Sequence, residues 1–190
     1  MKIGLYFGSF NPIHIGHLII ANFAANHTDL DQVWIVVSPQ NPFKPSSSLL
    51  NEYHRLELAK LAIENNDQLK VSDVEFKLPK PSYTIDTITY LQEKYPNNQF
   101  AILMGSDGFV NLSKWKNHEV LIKNHEFFIY KRLPFEIENP LKAKIHILQA
   151  PMLDISATQI RNDLKAGKSI RYLVPDNVME EIEKTGYYTK

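Results

Sequence analysis

The sequence predicts an open α/β domain in which helices cover both faces of a parallel β-sheet. Continuously apolar segments end at a glycine or at a polar loop, and segments with helical periodicity lie between them. A strand that is buried on both faces needs such an unbroken apolar run. About five strands of this kind alternate with helices, so we expect a doubly wound sheet with its ligand cleft at the carboxyl ends of the strands.

The expected strands follow the apolar segments along the chain. Buried strands are predicted at residues 3–7, 33–37, 100–104, 127–130 and 145–148. Residues 71–76 alternate between apolar and polar side chains, which is typical of a half-exposed strand. The order of the strands in the sheet cannot be derived from this pattern.

Capping residues mark the expected helices, which start at His14, Asn51, Thr84, Ser156 and Asp176. The second helix is expected to bury Tyr53, Leu56, Ala59 and Ile63. Ser156 and Gln159 have the spacing of a capping box, and Gly167 lies just beyond the end of that helix. The last helix is expected to stop before Gly186.

The composition excludes several classes of protein. The 190 residues are 44% hydrophobic and 22% charged, which argues against disorder. The 21 basic and 21 acidic residues cancel, so nothing supports a nucleic-acid partner. Without cysteine there is no disulfide or thiol nucleophile, and no apolar run approaches the ~20 residues of a membrane span. We expect a cytoplasmic protein without a membrane partner; a homo-oligomer is possible.

Residues 8–17 carry the densest chemical signal, between the first strand and the first helix. Backbone amides at such a turn can face an anion. His14 and His17 are three residues apart and share a helix face, and Gly16 leaves room for a flat group to approach the backbone. A nearby phosphate would favour the charged imidazole. A solvated helix end or a metal pair are the alternatives, although no third ligand is evident.

Residues 155–161 form a second candidate anion site at the far end of the chain. Capping explains Ser156 and Gln159 but leaves Thr158 and Arg161 unexplained. These two share a helix face at a spacing of three, so their hydroxyl and guanidinium groups could meet a phosphate beside the helix N-terminus.

Together, the two segments resemble the signatures of the nucleotidyltransferase superfamily, in which two histidines bind ATP phosphates. The tetrapeptide His14–His17 is similar to the HIGH motif of class I aminoacyl-tRNA synthetases, which share this Rossmann-like fold. The resemblance implies a catalytic role for His14, His17, Lys44 and Arg161. It also implies ATP-binding residues, namely Gly8, Ser9, Phe10, Gly16, Gly105, Asp107, Ile155, Ser156 and Thr158.

Within the superfamily, the chain resembles bacterial nicotinate-nucleotide adenylyltransferases over nearly its whole length. The matching segments are residues 41–45, 81–87 and 104–107, with Leu112, Trp115 and the closing Tyr187–Tyr188. The resemblance implies a pyridine-nucleotide site formed by Asn41, Tyr83, Thr84 and Trp115. It also implies one nucleotidyltransferase domain over residues 1–190, with the second phosphate motif on C-terminal helices over 156–190.

The residues themselves leave some roles open. Thr84 at a helix N-terminus can receive a carboxylate, whereas a carboxamide would lose hydrogen bonds worth ~1–3 kcal/mol each. Trp115 either stacks on a cationic pyridine ring or is a half-buried core residue. Tyr83 suits packing better than ligand contact. Asp107 could bond a ribose hydroxyl or cap the next turn.

Some positions depart from the family pattern. Phe7, Ser9 and Asn11 stand where the family usually has Gly, Thr and Asp; Ser9 keeps the hydroxyl, while Asn11 loses a charge. The Gly-Ser-Phe start also resembles phosphopantetheine adenylyltransferase, the main alternative. A class I synthetase would need a Lys-Met-Ser-Lys-Ser-like loop, which is missing. A non-catalytic nucleotide sensor would be expected to lack some of the four candidate catalytic cations.

The implied reaction joins ATP and nicotinate mononucleotide, giving the dinucleotide and pyrophosphate. The attacking phosphate is already anionic, so positioning and charge neutralisation are enough and no catalytic carboxylate is expected. Mg²⁺ is implied as a cofactor that the ATP phosphates carry, with no metal ligands from the protein. Lys44, in a Pro/Ser-rich loop, is expected either to close over ATP or to remain in solvent.

Overall fold

A six-stranded parallel sheet forms the centre of the computed structural model, which describes residues 1–40 and 49–189. Its strands lie in the order β3-β2-β1-β4-β5-β6, so the direction of winding reverses between β1 and β4. The strands are β1 (Lys2–Gly8), β2 (Gln32–Val37), β3 (Leu69–Ser72), β4 (Gln99–Gly105), β5 (Glu126–Tyr130) and β6 (Lys144–Leu148). A ligand cleft is expected beyond the carboxyl ends of β1 and β4.

Helices cover both faces of this sheet. They are α1 (Ile15–His27), α2 (Glu52–Ala62), α3 (Thr84–Lys94), α4 (Ser106–Val110), α5 (His118–Asn124), α6 (Ala157–Lys165) and α7 (Asp176–Thr185), with 3₁₀ turns at Val74–Lys77 and Leu112–Lys114. Helices α1, α2, α6 and α7 pack into one apolar core, and α3, α4 and α5 into a second. The predicted doubly wound architecture is therefore confirmed.

Strand β4 shows why the strands are apolar throughout. Ala101 and Leu103 belong to the core on the α1 side, whereas Phe100, Ile102 and Met104 belong to the core on the α3 side. Successive side chains of a strand point to opposite faces, so a strand covered on both sides has no position for a polar residue.

Three local predictions are corrected. The predicted strand over 71–76 ends at Ser72, whose hydroxyl accepts a hydrogen bond from the Val74 amide and starts a 3₁₀ turn. Tyr53 is 62% exposed, because it lies on the outer face of α2. Thr84 is the first residue of α3 rather than its cap, since the preceding Tyr83 has the extended backbone of the cap position.

The capping box at Ser156 forms in part. Its hydroxyl accepts a hydrogen bond from the Gln159 amide at 3.1 Å, as predicted. The Gln159 side chain donates to Asp163 at 2.9 Å. Among the described residues, none of the helices has the length and apolar character of a membrane span.

Candidate active site

Two stacked histidines lie at the start of α1, next to the point where the winding reverses. His14 occupies the cap position and His17 the first turn, and their ring centroids are 3.6 Å apart. The His14 amide donates to Nδ1 of His17 at 3.3 Å. A nitrogen that accepts a hydrogen bond carries no proton, so neutral His17 bears its proton on Nε2 and is a directed donor. The predicted shared face is confirmed.

His14 is held in its neutral form. The residue is 6% exposed, and burial, helped by the positive charge of Arg132, lowers its pKa from 6.5 to about 4. Its Nδ1 is buried and has no hydrogen-bond partner among the described residues. A negatively charged ligand would oppose both effects and raise the pKa again.

Gly16 allows the His14 ring to pack closely against the start of α1. A Cβ atom at this position would lie 3.1 Å from two atoms of the ring and 3.8 Å from Cβ of Ile155. The space beside this glycine is therefore filled by the imidazole, and not left open for a flat ligand group as the sequence suggested. Contact between Gly16 and ATP stays a prediction.

The turn after β1 is shaped by a buried aromatic ring. Phe10 has a left-handed backbone (φ 45°), and its ring lies 2.8 Å from where a Cβ of Gly8 would be, so only glycine fits there. The Phe10 side chain is in the core and meets the His17 ring edge-on at 5.0 Å. The hydroxyl of Ser9 is buried without a hydrogen-bond partner in the described part of the chain. Any ATP contact of Phe10 would thus involve its backbone.

Arg161 connects the two sequence motifs. Its guanidinium donates to the carbonyl oxygen of Asn11 at 2.7 Å, across 150 residues of sequence, and to the Thr158 hydroxyl at 3.2 Å. The Asn11 side chain accepts a hydrogen bond from the Leu50 amide at 3.1 Å. The tertiary structure therefore brings the turn between β1 and α1 into contact with helix α6.

Arg55 is a residue that sequence reasoning missed. Its guanidinium is fully buried in α2 and donates to the carbonyl oxygens of Leu50 (2.8 Å), Ser38 (2.9 Å), Pro39 (3.3 Å) and Ser9. It thus fastens the loops that follow β1 and β2 to the start of α2. The sequence does not indicate that Arg55 is buried or binds loop carbonyls, because an arginine among leucines in an amphipathic helix usually faces solvent.

A second group of site residues follows β4. Ser106 is buried and accepts a hydrogen bond from the Arg132 amide at 2.9 Å, while Asp107 pairs with the Arg132 guanidinium at 3.1 Å. A Cβ at Gly105 would lie 2.8 Å from Arg132 and would also clash with Asp107. Arg132 was not singled out from sequence, although a basic pair directly after the apolar run of β5 could have indicated it. Asp107 pairs with a cation and does not cap the turn.

The expected pyridine-binding residues cluster around the start of α3. Tyr83, Thr84 and Trp115 are partly exposed, and the two aromatic rings pack against the core on the α3 side. Lys116 Nζ lies 4.9 Å from the centroid of the Tyr83 ring and 2.8 Å from Asp86 Oδ2. This contact joins the Trp115 segment to α3. Asn41 and Lys44 lie outside the described residues.

Comparisons with known proteins agree with this geometry. Residues 5–163 match the family model described as Cytidylyltransferase-like. A protein of Flavobacterium johnsoniae named "probable nicotinate-nucleotide adenylyltransferase" is 51% identical over 193 residues, covering 100% of both chains. One of the same name from Bacteroides fragilis is 41% identical, covering 95% of this chain and 90% of its own.

The chain belongs to the nicotinate-nucleotide adenylyltransferase family. A solved structure supports the fold assignment: Plasmodium falciparum nicotinic acid mononucleotide adenylyltransferase complexed with NaAD superimposes with a TM-score of 0.83. That match has 24% sequence identity and covers 98% of this chain and 97% of the other. The resemblance derived from the motifs is therefore confirmed at the level of family and fold.

The donor set of this family member suits an anion better than a bare cation. In residues 1–40 and 49–189, no group of three His, Asp or Glu side chains could hold a metal ion. The side chains around the two motifs are imidazoles, which can donate N–H groups to phosphate, and guanidiniums, which attract phosphate and repel a cation. Mg²⁺ would consequently have to be bound chiefly by phosphate oxygens and water.

Proposed function

We infer that the chain transfers AMP from ATP to nicotinate mononucleotide, giving nicotinate adenine dinucleotide and pyrophosphate. The observation that carries this inference is the bond from Arg161 to the Asn11 carbonyl, which sets a guanidinium next to the histidine turn. Family membership supports the substrate pair.

We propose that the site acts by holding phosphates. An oxygen of the nicotinate mononucleotide phosphate attacks the α-phosphorus of ATP, a new P–O bond forms, and the bond to pyrophosphate breaks. The nucleophile is already anionic, so no residue has to remove a proton. Neutral His17 directs Nε2–H at a phosphate oxygen, and Arg161 presents a guanidinium already held by two hydrogen bonds. Mg²⁺ held by the ATP phosphates would supply positive charge for the leaving pyrophosphate.

The proposed pyridine site is the N-terminus of α3. The first amides of a helix have no partner within it and carry a partial positive charge, which favours a carboxylate over a neutral carboxamide. Thr84 is the first residue of this helix and adds a hydroxyl. Tyr83 and Trp115, both partly exposed, are the candidates to contact the pyridine ring.

The proposal also covers the domain organisation, the cellular location and the role of Lys44. Residues 1–190 act as one domain, since α6 and α7 pack into the same core as α1 and α2. The enzyme works in the cytoplasm, where ATP-driven biosynthesis takes place. Lys44, which lies outside the described residues, is proposed to contact the ATP phosphates.

The first experiment measures pyrophosphate release by the purified protein with Mg-ATP. Nicotinate mononucleotide, nicotinamide mononucleotide and phosphopantetheine are offered separately. We expect strong preference for the nicotinate substrate. Preference for phosphopantetheine would agree with the proposed phosphate site and contradict the proposed pyridine site. ATP binding without pyrophosphate release would favour a nucleotide sensor.

A further inference from the structure

A buried polar cluster lies beneath the N-terminus of α3. We call it the Glu75 cluster; it consists of Glu75 in the 3₁₀ turn after β3, Thr87 in α3, Ser82 just before α3, and Ser38 directly after β2. All four residues are buried, and Glu75 is 1% exposed. Nothing in the phosphate chemistry uses these side chains.

Glu75 has no cation to pair with among the described residues. Its Oε1 accepts a hydrogen bond from the Thr87 hydroxyl at 2.9 Å. Its Oε2 and the Ser82 hydroxyl are buried, and neither makes a hydrogen bond of good geometry in the described structure. Burial raises the pKa of Glu75, and the nearby hydroxyls of Ser38, Thr87 and Ser82 oppose that effect. A buried carboxyl group without a cation is costly unless hydrogen bonds satisfy it, so this side chain depends on the hydroxyl groups around it.

The cluster ties the pyridine site to the rest of the cleft. Thr87 is three residues from Thr84, and its hydroxyl also lies 3.3 Å from the carbonyl oxygen of Tyr83. The Ser82 amide donates to the carbonyl oxygen of Gln40 at 3.2 Å. The cluster is therefore in contact with the start of α3 and with Gln40 in the segment that follows β2.

We propose that Glu75 is a positioning residue that, through its hydrogen bond with Thr87, fixes the N-terminus of α3 for the pyridine carboxylate. It acts through Thr87 and sets how strongly the enzyme prefers the nicotinate over the nicotinamide nucleotide. An apolar residue of similar size would fill the volume but could not orient the helix start, since only directed hydrogen bonds do so in a buried site. This inference rests on the proposed function.

The test compares Glu75→Gln, Glu75→Leu and Thr87→Val with the wild type. Steady-state assays give KM for each substrate, kcat and the nicotinate-to-nicotinamide ratio of kcat/KM, and calorimetry gives the affinity for nicotinate mononucleotide alone. We expect Glu75→Leu and Thr87→Val to raise KM for this nucleotide by about tenfold and lower the ratio, with KM for ATP unchanged. Gln keeps the acceptor and a donor, so Glu75→Gln should stay within about twofold of wild type.

Thr89→Val is the matched control. Thr89 also lies in α3, but its hydroxyl donates to the Ile85 carbonyl oxygen within the helix, so we expect no change in either KM. If Glu75→Leu does not fold, Thr87→Val must still raise KM for nicotinate mononucleotide and leave KM for ATP unchanged.

Four outcomes would overturn the proposal. Equal rises in both KM values, or a lower Tm with unchanged kinetics, would mean that Glu75 only stabilises the fold. A Glu75→Gln variant as impaired as Glu75→Leu would mean that a carboxylate is required. If the wild type itself shows no use of nicotinate mononucleotide, the proposed function fails first and the positioning role with it.

Discussion

At the scale of single residues, the histidine turn shows how a protein can hold two imidazoles side by side. Stacked rings 3.6 Å apart would repel each other if both were charged, and burial keeps His14 neutral. A negative charge placed beside the pair would favour the charged form of His14, so the proposed phosphate site and the state of this imidazole are coupled.

His17→Ala should lower kcat by about 10²–10³-fold, as is typical for loss of one aimed donor. His27→Ala is a suitable control, because it lies in the last turn of the same helix, stacked on Phe23. Initial rates and Tm should be measured for both variants. A folded His17→Ala protein with kcat near that of wild type would refute the role.

The lowered pKa of His14 also predicts a pH dependence of stability. Its folded-state pKa of about 4 is below the ordinary 6.5, so the unfolded chain takes up the proton first. The contribution of His14 to stability is therefore complete above pH 6.5 and is lost as pH falls through 4. Urea unfolding between these values should show a smaller loss for His14→Gln than for wild type; parallel curves would contradict the shift.

At the scale of elements, helix α2 holds the loops after β1 and β2 in place through the side chain of Arg55. The backbone carbonyls it contacts belong to the segments after β1 and β2 and to the residue before the α2 cap. The four carbonyl oxygens lie outside the helices and strands, and a buried guanidinium with five donors can satisfy several of them at once.

Arg55→Met should destabilise the fold by at least about 3 kcal/mol, because several buried carbonyls lose a charged donor. Denaturant unfolding at neutral pH measures this. Arg171→Met removes an exposed arginine and should change the free energy of unfolding by less than about 0.5 kcal/mol. Equal effects of the two substitutions would show that Arg55 does not hold the loops.

At the scale of the whole molecule, the site exists because the two ends of the chain meet. The bond from Arg161 to Asn11 crosses 150 residues, and the Ile15 amide donates to the Leu173 carbonyl oxygen at 2.9 Å. The C-terminal segment therefore packs directly against the histidine turn.

Arg161→Lys should raise KM for ATP and lower kcat by at least about tenfold, because an ammonium cannot reproduce the planar fork that contacts Asn11 and Thr158 together. Lys165→Met, at the other end of α6, is the control and should have little effect. ATP titrations in the pyrophosphate assay distinguish the two. Full activity of Arg161→Lys would mean that only the positive charge at this position matters and that the planar guanidinium is not required.

The sequence placed β3 too far along the chain, but by itself it determined the α/β class, the positions of the other five strands and the two polar motifs. These features depend on local patterns: apolar runs with nearly the length of the strands, and polar residues at fixed spacing beside a helix start. Such patterns persist whatever the neighbours are.

Only the tertiary structure decided the strand order, the neutral state of His14, the loop contacts of Arg55, the approach of Arg132 to Asp107, and the burial of Glu75. Each depends on contacts between segments far apart in the chain. Burial and hydrogen-bond partners at such contacts fix a side chain's charge and role, and neither can be read from its immediate sequence neighbours.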